Sequence, residues 1–98
     1  MIEWDLYLTY DTKPYKLKAI LEYHSSQIMR IRVHGIKSTL LLENDYPIIK
    51  AANGKRGIKW KIREGQLSGD NKATARLLID IFEQLERNIK ADYPSLNK

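Results

Sequence analysis

The chain contains no cysteine. That excludes disulfides, thiolate nucleophiles and zinc sites built on sulfur. Proline occurs only three times and glycine five times, and no linker, internal repeat or low-complexity segment is found. No apolar run approaches the roughly 20 residues needed to cross a bilayer, so no membrane partner is expected. The opening residues Met1-Ile2-Glu3-Trp4 show no basic segment followed by an apolar one, so no signal peptide is visible and a cytoplasmic location is expected.

Residues that carry chemistry are also sparse. Histidine occurs twice, and His24 and His34 fall on different sides of an expected hairpin, poorly placed to share a metal. Glu3 and Asp5 share a strand face but have no matching ligand cluster. His24 stands beside Ser25 and Ser26, yet adjacency in a turn does not set a base against a nucleophile with a third orienting group. No catalytic residue, metal or cofactor is expected, and the chain reads as non-enzymatic.

What is present is enough for one core. The 98 residues are 43% hydrophobic, which suits a single globular domain spanning 1–98. Seventeen Lys and Arg against 12 Asp and Glu give a net charge of +5. That excess favours attraction to polyanions. The distribution matters more than the sum. Lys16-Leu17-Lys18-Ala19, Arg30-Ile31-Arg32-Val33 and Lys59-Trp60-Lys61-Ile62-Arg63 place cations on one parity and apolar side chains on the other. A strand turns successive side chains to opposite faces, so these segments describe a sheet that is apolar beneath and cationic above.

Six strand candidates precede one helix: Ile2–Tyr10, Tyr15–Tyr23, Ile28–His34, Lys37–Glu43, Tyr46–Ala51 and Ile58–Arg63. Their short connections imply antiparallel neighbours. A two-residue turn at Gly35-Ile36 would set Ile31 opposite Leu40 and Met29 opposite Leu42. A turn at Asn44-Asp45 would set Leu40 opposite Ile49. Between the second and third strands, a loop at His24-Ser25-Ser26 or a bulge is needed to keep Leu21 with Met29 and Leu17 with Val33.

From about Asn71 to Asp92 the period becomes helical, with Ala75, Leu78, Ile81, Phe82, Leu85 and Ile89 on one face. Glu83–Arg87 and Glu86–Lys90 are i,i+4 pairs on the other. Ser68-Gly69-Asp70-Asn71 offers N-cap residues, and Pro94 is expected to end the segment. The fold class is therefore α+β, an antiparallel β-meander of five to six strands (about 2–63) packed on one C-terminal α-helix (about 71–92).

The stretches Gly35–Leu42, Pro47–Ala51 and Ile58–Gly65 resemble small bacterial proteins of unknown function. The resemblance implies a meander closed by a C-terminal helix and brings no catalytic motif. In topology the chain is also similar to Whirly and Pur-type single-strand nucleic-acid binders, which place several antiparallel strands before a helix. Six strands instead of four is a departure, and likeness of fold is weak support for function.

The expected register gathers Tyr7, Lys18, Arg32, Thr39, Lys50 and Lys59 into one row. Beside it run Asp5, Ile20, Arg30, Leu41, Ile48 and Lys61. Like charges opposite each other destabilise a sheet, so this face reads as a platform for single-stranded nucleic acid or another polyanion. The contributing residues are Tyr7, Lys16, Lys18, Arg30, Arg32, Lys50, Lys59, Lys61 and Arg63, with Tyr7 stacking on a base. The bland alternative is a solvated face with splayed lysines. A second reading is an interaction module, either a homodimer or a complex with another protein, built on an apolar stripe of Ile20, Leu41 and Ile48. A fold-back of the sheet could also bury that stripe. The loop Asn53-Gly54-Lys55-Arg56-Gly57 could cradle a phosphate, but lacks a P-loop signature.

Overall fold

A computed structural model of the chain describes residues 2–10, 12–35, 39–52, 57–65 and 71–96. The alternation of side chains builds five strands: β1 Glu3–Tyr10, β2 Lys13–His24, β3 Met29–His34, β4 Thr39–Asn44 and β5 Trp60–Glu64. They form one sheet in the order β1-β2-β3-β4-β5, every pair antiparallel. Two helices complete the described residues, α1 Tyr46–Ala51 and α2 Asn71–Leu96. The α+β meander expected from the sequence is therefore present, with five strands.

The inner parity is the core. Leu6, Met29, Ile31, Val33 and Leu42 are fully buried, and Ile81, Leu85 and Ile89 of α2 meet them. Leu77, not Ala75, opens the buried stripe of the helix, and Ala75 is exposed. The helix also continues through Pro94 to Leu96. A proline withholds one N–H donor, which close to a helix end costs a single bond.

The segment Tyr46–Ala51, expected as a strand, is α1. Asn44 Oδ1 accepts the Tyr46 N–H at 2.9 Å, and the Asp45 carbonyl accepts from Ile48 and Ile49 N–H at 3.1 and 3.3 Å. Pro47 sits in the first turn, where its missing N–H has no intrahelical partner to lose. A central strand would have lost a ladder bond there. The expected Asn44-Asp45 hairpin and the Leu40–Ile49 pairing are thus replaced, and β4 pairs with β5.

The registers keep face but shift along the strands. Val33 pairs with Leu40 and Ile31 with Leu42, two residues from the expected alignment. Residues 35–38 make that connection, and 36–38, including Lys37, lie outside the described residues. In β2–β3, Ala19 meets Val33 and Leu21 meets Ile31, while His24 meets Met29. Glu22 is the extra residue of a bulge, and the turn closes with Ser25 N–H donating to the Ile28 carbonyl at 2.9 Å. Residues 53–56 of the expected phosphate cradle at 53–57, and 68–70 of the expected N-cap stretch at 68–71, also lie outside the described residues.

Helix α2 crosses the inner face antiparallel to β1. Trp4 Nε1 donates to Asp92 Oδ2 at 2.7 Å, while Tyr7, three residues on, meets Gln84, eight residues back. On the far flank, Trp60 Nε1 donates to Glu86 Oε2 at 2.9 Å, and its ring stacks on Phe82 with centroids 4.8 Å apart. Glu86, an expected partner of Lys90, instead receives an indole. Among the strands α2 lies nearest β1, and β5 is covered less.

Candidate functional site

The outer face carries most of the expected cations, but not alone. Tyr7 lies opposite Lys16, Asp5 opposite Lys18 and Glu3 opposite Ile20. Lys16 Nζ is 3.7 Å from Asp5, and Lys18 Nζ is 3.4 Å from Glu3 and 3.7 Å from Asp5. Lys18 faces His34 in β3, not Arg32. The expected juxtaposition of Lys18 and Arg32 is removed by register, and Lys18 has two carboxylates of its own.

Two bulges supply the rest. At Glu22 the chain gains a residue, so Glu22 and Tyr23 both turn outward and His24 turns in. At Arg63 the same happens in β5, since Leu42 pairs with Ile62 and Leu41 with Glu64. Glu22 and Glu64 reach Arg32 from opposite sides. Arg32 Nε donates to Glu22 Oε2 at 3.1 Å, its Nη2 to Glu22 Oε1 at 3.3 Å, and Nη2 also to Glu64 Oε2 at 3.4 Å. The hydrogen bond with Glu22 leads in raising the Arg32 pKa above its ordinary value. The charges of Glu22 and Glu64 add to it, against a desolvation effect that lowers it.

Arg32, Leu41 and Glu64 occupy adjacent strands in one row. The Arg32–Glu64 pair therefore closes over Leu41, which is only 8% exposed although it faces outward. Ile20, on the other side of Arg32, is half-buried. Ile48 is exposed on α1, off the sheet. The expected stripe of Ile20, Leu41 and Ile48 is thus interrupted by an arginine, roofed by an ion pair and split between the sheet and α1.

Arg30 completes the face. Its Nε donates to Glu43 Oε1 at 3.0 Å, and its guanidinium lies 5.2 Å from the Tyr23 ring centre. Arg63 Nε stands 3.8 Å from the same Glu43, whose side chain is only 15% exposed. Salt screens such a pair less than a fully exposed one. Lys16, Lys18, Arg30, Arg32 and Arg63 are thus interleaved with Glu3, Asp5, Glu22, Glu43 and Glu64. Lys50 on α1, Lys59 before β5 and Lys61 on β5 are exposed, with no ion pair among the described residues. Glu3, Asp5 and Glu43 share the cations' parity, a signal legible in the sequence. Glu22 shares it too, being even-numbered like Lys16 and Lys18 on the same strand, and only Glu64 reaches the face through a bulge.

The two sheet edges differ. Ile2 C=O accepts from Leu21 N–H at 2.9 Å, so even-numbered residues at this edge bond toward β2 and odd-numbered residues of β1 turn their backbone groups away. Gln84 fills one such position. Its Nε2 donates to the Tyr7 carbonyl at 2.6 Å, and its Oε1 accepts the Tyr7 N–H at 2.8 Å. Along β5 no described residue makes an equivalent contact on the outer side.

The inner side of β5 is also open. Ile62 is 40% exposed although its cross-strand partner Leu42 is fully buried. Strand β5 runs parallel to β1 and hence antiparallel to α2, so the step from Trp60 to Ile62 follows the helix from Phe82 toward Leu78. Leu78 and Phe82 are half-buried, and Ile79, next around the helix, is 54% exposed. Among the described residues, a backbone edge without a partner, an apolar lip and two lysines without an ion pair therefore coincide.

The turn after His24 is built on Ser25. Ser25 Oγ accepts backbone N–H groups from Gln27 and Ile28, both at 3.1 Å, and so organises the turn. The His24 ring packs edge-on against Tyr93, with centroids 5.6 Å apart. His24 Nε2 and Asn44 Nδ2 are buried with no hydrogen-bond partner among the described residues. Also among the described residues, no group of three or more side chains is arranged to ligate a metal, and no helix is long and apolar enough to cross a membrane.

No protein-family model matches this chain, and neither a curated protein nor a solved structure matches it.

Proposed function

We propose that the chain is a non-catalytic protein-interaction module that docks another polypeptide along β5 and the adjoining flank of α2. The unequal treatment of the two sheet edges carries this reading. Gln84 satisfies β1 at Tyr7, whereas the outer side of β5 has no described partner and Ile62 beside it is exposed. An unpaired strand edge offers main-chain hydrogen bonds to an incoming strand, and neighbouring apolar surface adds burial. Ion pairing of the outer face removes that face as the simpler docking platform. A photo-crosslinking residue placed at Lys61, and separately at Thr9, tests the reading in the cell of origin. Discrete adducts at position 61 and none at position 9 are expected. Equal labelling at both positions, or none at position 61, contradicts it.

A second reading is binding of single-stranded nucleic acid or another polyanion. It draws on the net charge of +5 and on Lys50, Lys59 and Lys61, which are exposed and outside any described ion pair. On the outer face, Lys16, Lys18, Arg30, Arg32 and Arg63 would have to exchange a carboxylate for a phosphate beside acidic neighbours that repel it. A gel-shift titration decides. Affinity that falls steeply with salt, with a flatter slope after charge removal at Lys18, Arg32 and Lys59, supports this reading. No retardation at low ionic strength removes it.

A further inference from the structure

Building on the proposal that β5 is the docking edge, we infer that its partner is an extended segment alternating acidic and apolar residues, added to β5 as a sixth strand. A precedent for such a partner lies within the fold. Strand β2 presents Lys16 and Lys18 at alternate outward positions, and β1 beside it answers with Asp5 and Glu3 at 3.4 to 3.7 Å. The residues between and beyond those acids, Trp4 and Leu6, turn inward and are buried. Strand β5 and the residue before it repeat the cationic half of this arrangement with Lys59, Lys61 and Arg63. Among the described residues no strand follows in the sheet.

The charges are available. Lys59 and Lys61 make no ion pair among the described residues. Arg63 is 3.8 Å from Glu43, which Arg30 already holds at 3.0 Å. Acids at alternate positions of an added strand would stand opposite these cations. Its intervening apolar residues would fall on the inner side, against Ile62 and the strip leading to Phe82.

A second copy of the chain fits this edge poorly. A two-fold axis that pairs β5 antiparallel with itself preserves the faces, so Lys59, Lys61 and Arg63 would face one another, which destabilises pairing. Strand β1 of a second copy carries the right acids, but its outward backbone at Tyr7 is already bonded to Gln84. Lysine on an edge strand also discourages indiscriminate pairing. Here it would select by charge, rejecting cationic strands and accepting acidic ones. The bulge at Arg63 ends the regular stretch of β5, so the added strand is short.

The test is a fluorescence-anisotropy titration of the full chain at low ionic strength with labelled acetyl-(Glu-Val)3-amide. Three controls accompany it: acetyl-(Lys-Val)3-amide, the equally charged acetyl-(Glu-Gly)3-amide and oligothymidylate. The Glu-Val peptide is expected to bind tightest, with backbone amide shifts confined to β5 and its neighbours. Lys59→Glu with Lys61→Glu should weaken it about tenfold or more, while Lys16→Gln leaves it unchanged. Equal binding of the Glu-Gly peptide, tighter binding of oligothymidylate, shifts centred on β1, or no binding of the Glu-Val peptide overturns the inference. If the peptide fails while crosslinking at position 61 persists, the partner chemistry is wrong and the docking edge stands. If both fail, the docking edge falls too.

Discussion

Gln84 holds Tyr7 by its backbone: the side-chain amide donates to the Tyr7 carbonyl and accepts from the Tyr7 N–H, so one residue of α2 acts as a short neighbouring strand. An amide side chain carries one donor and one acceptor group in the spacing a peptide unit presents. The contact makes β1 a closed edge at its middle, whereas β5 has no such partner among the described residues.

Replacing Gln84 by alanine should cost about 1 kcal/mol, the order of the hydrogen bonds lost at an exposed site. It should also expose the β1 edge to self-pairing. Urea denaturation measures the first effect and light scattering against concentration the second. An unchanged midpoint and an unchanged scattering profile would remove Gln84 from this role.

Arg32 holds two carboxylates and covers Leu41 with one of them. Arg32→Ala should lower the thermal midpoint by a few degrees and shift the Leu41 methyl resonances. Arg32→Lys should recover only part of the loss, because an ammonium cannot keep the forked bond to Glu22 while reaching Glu64. Equal behaviour of the alanine and lysine variants would contradict the roofed arrangement.

Tyr93 is buried against Tyr46 and His24, with the Tyr46 ring centre 5.0 Å away. Burial pushes its hydroxyl pKa up, and the charge of Tyr46 adds to the shift. The folded state therefore keeps a proton that the unfolded chain releases near pH 10. Stability from this group is complete below that pH and declines as pH rises through the higher folded value. Denaturant midpoints measured from pH 8 to 11 should fall at the alkaline end, and less steeply in Tyr93→Phe.

Gly65 follows β5 with φ of +83°, and a Cβ there would run into the Thr39 carbonyl oxygen. Gly65→Ala should cost more than about 1 kcal/mol, because the backbone conformation and the space both refuse a side chain. A Cβ added at Gly57 would meet no described atom within 4 Å. Gly57→Ala is the matched control, expected to change the midpoint little.

The parity of Met29, Ile31 and Val33 made the inner face legible, and the 3.6-residue recurrence of Ile81, Leu85 and Ile89 made the helix legible. Strand register was not, because a shift of two residues preserves every face. Tyr46-Pro47-Ile48-Ile49 misled through its strand-forming residues. The signal against a strand was Pro47 just after Asn44-Asp45, which suits the start of a helix. The candidate site was half legible. Its cations stand out in the sequence, and Glu22 shares their parity, but the second partner of Arg32, Glu64, has the wrong parity until a bulge corrects it. Gln84 gave no signal, since its partner is backbone and lies 77 residues away.

Native-state amide hydrogen exchange tests the difference between the two edges most directly. The Tyr7 amide should exchange slowly, like those paired inside the sheet, while alternate amides of Trp60–Glu64 exchange fast in the free protein. If Tyr7 exchanges as fast as those amides, or if all amides of β5 are as protected as those of β3, the edge asymmetry is absent and the docking account fails with it.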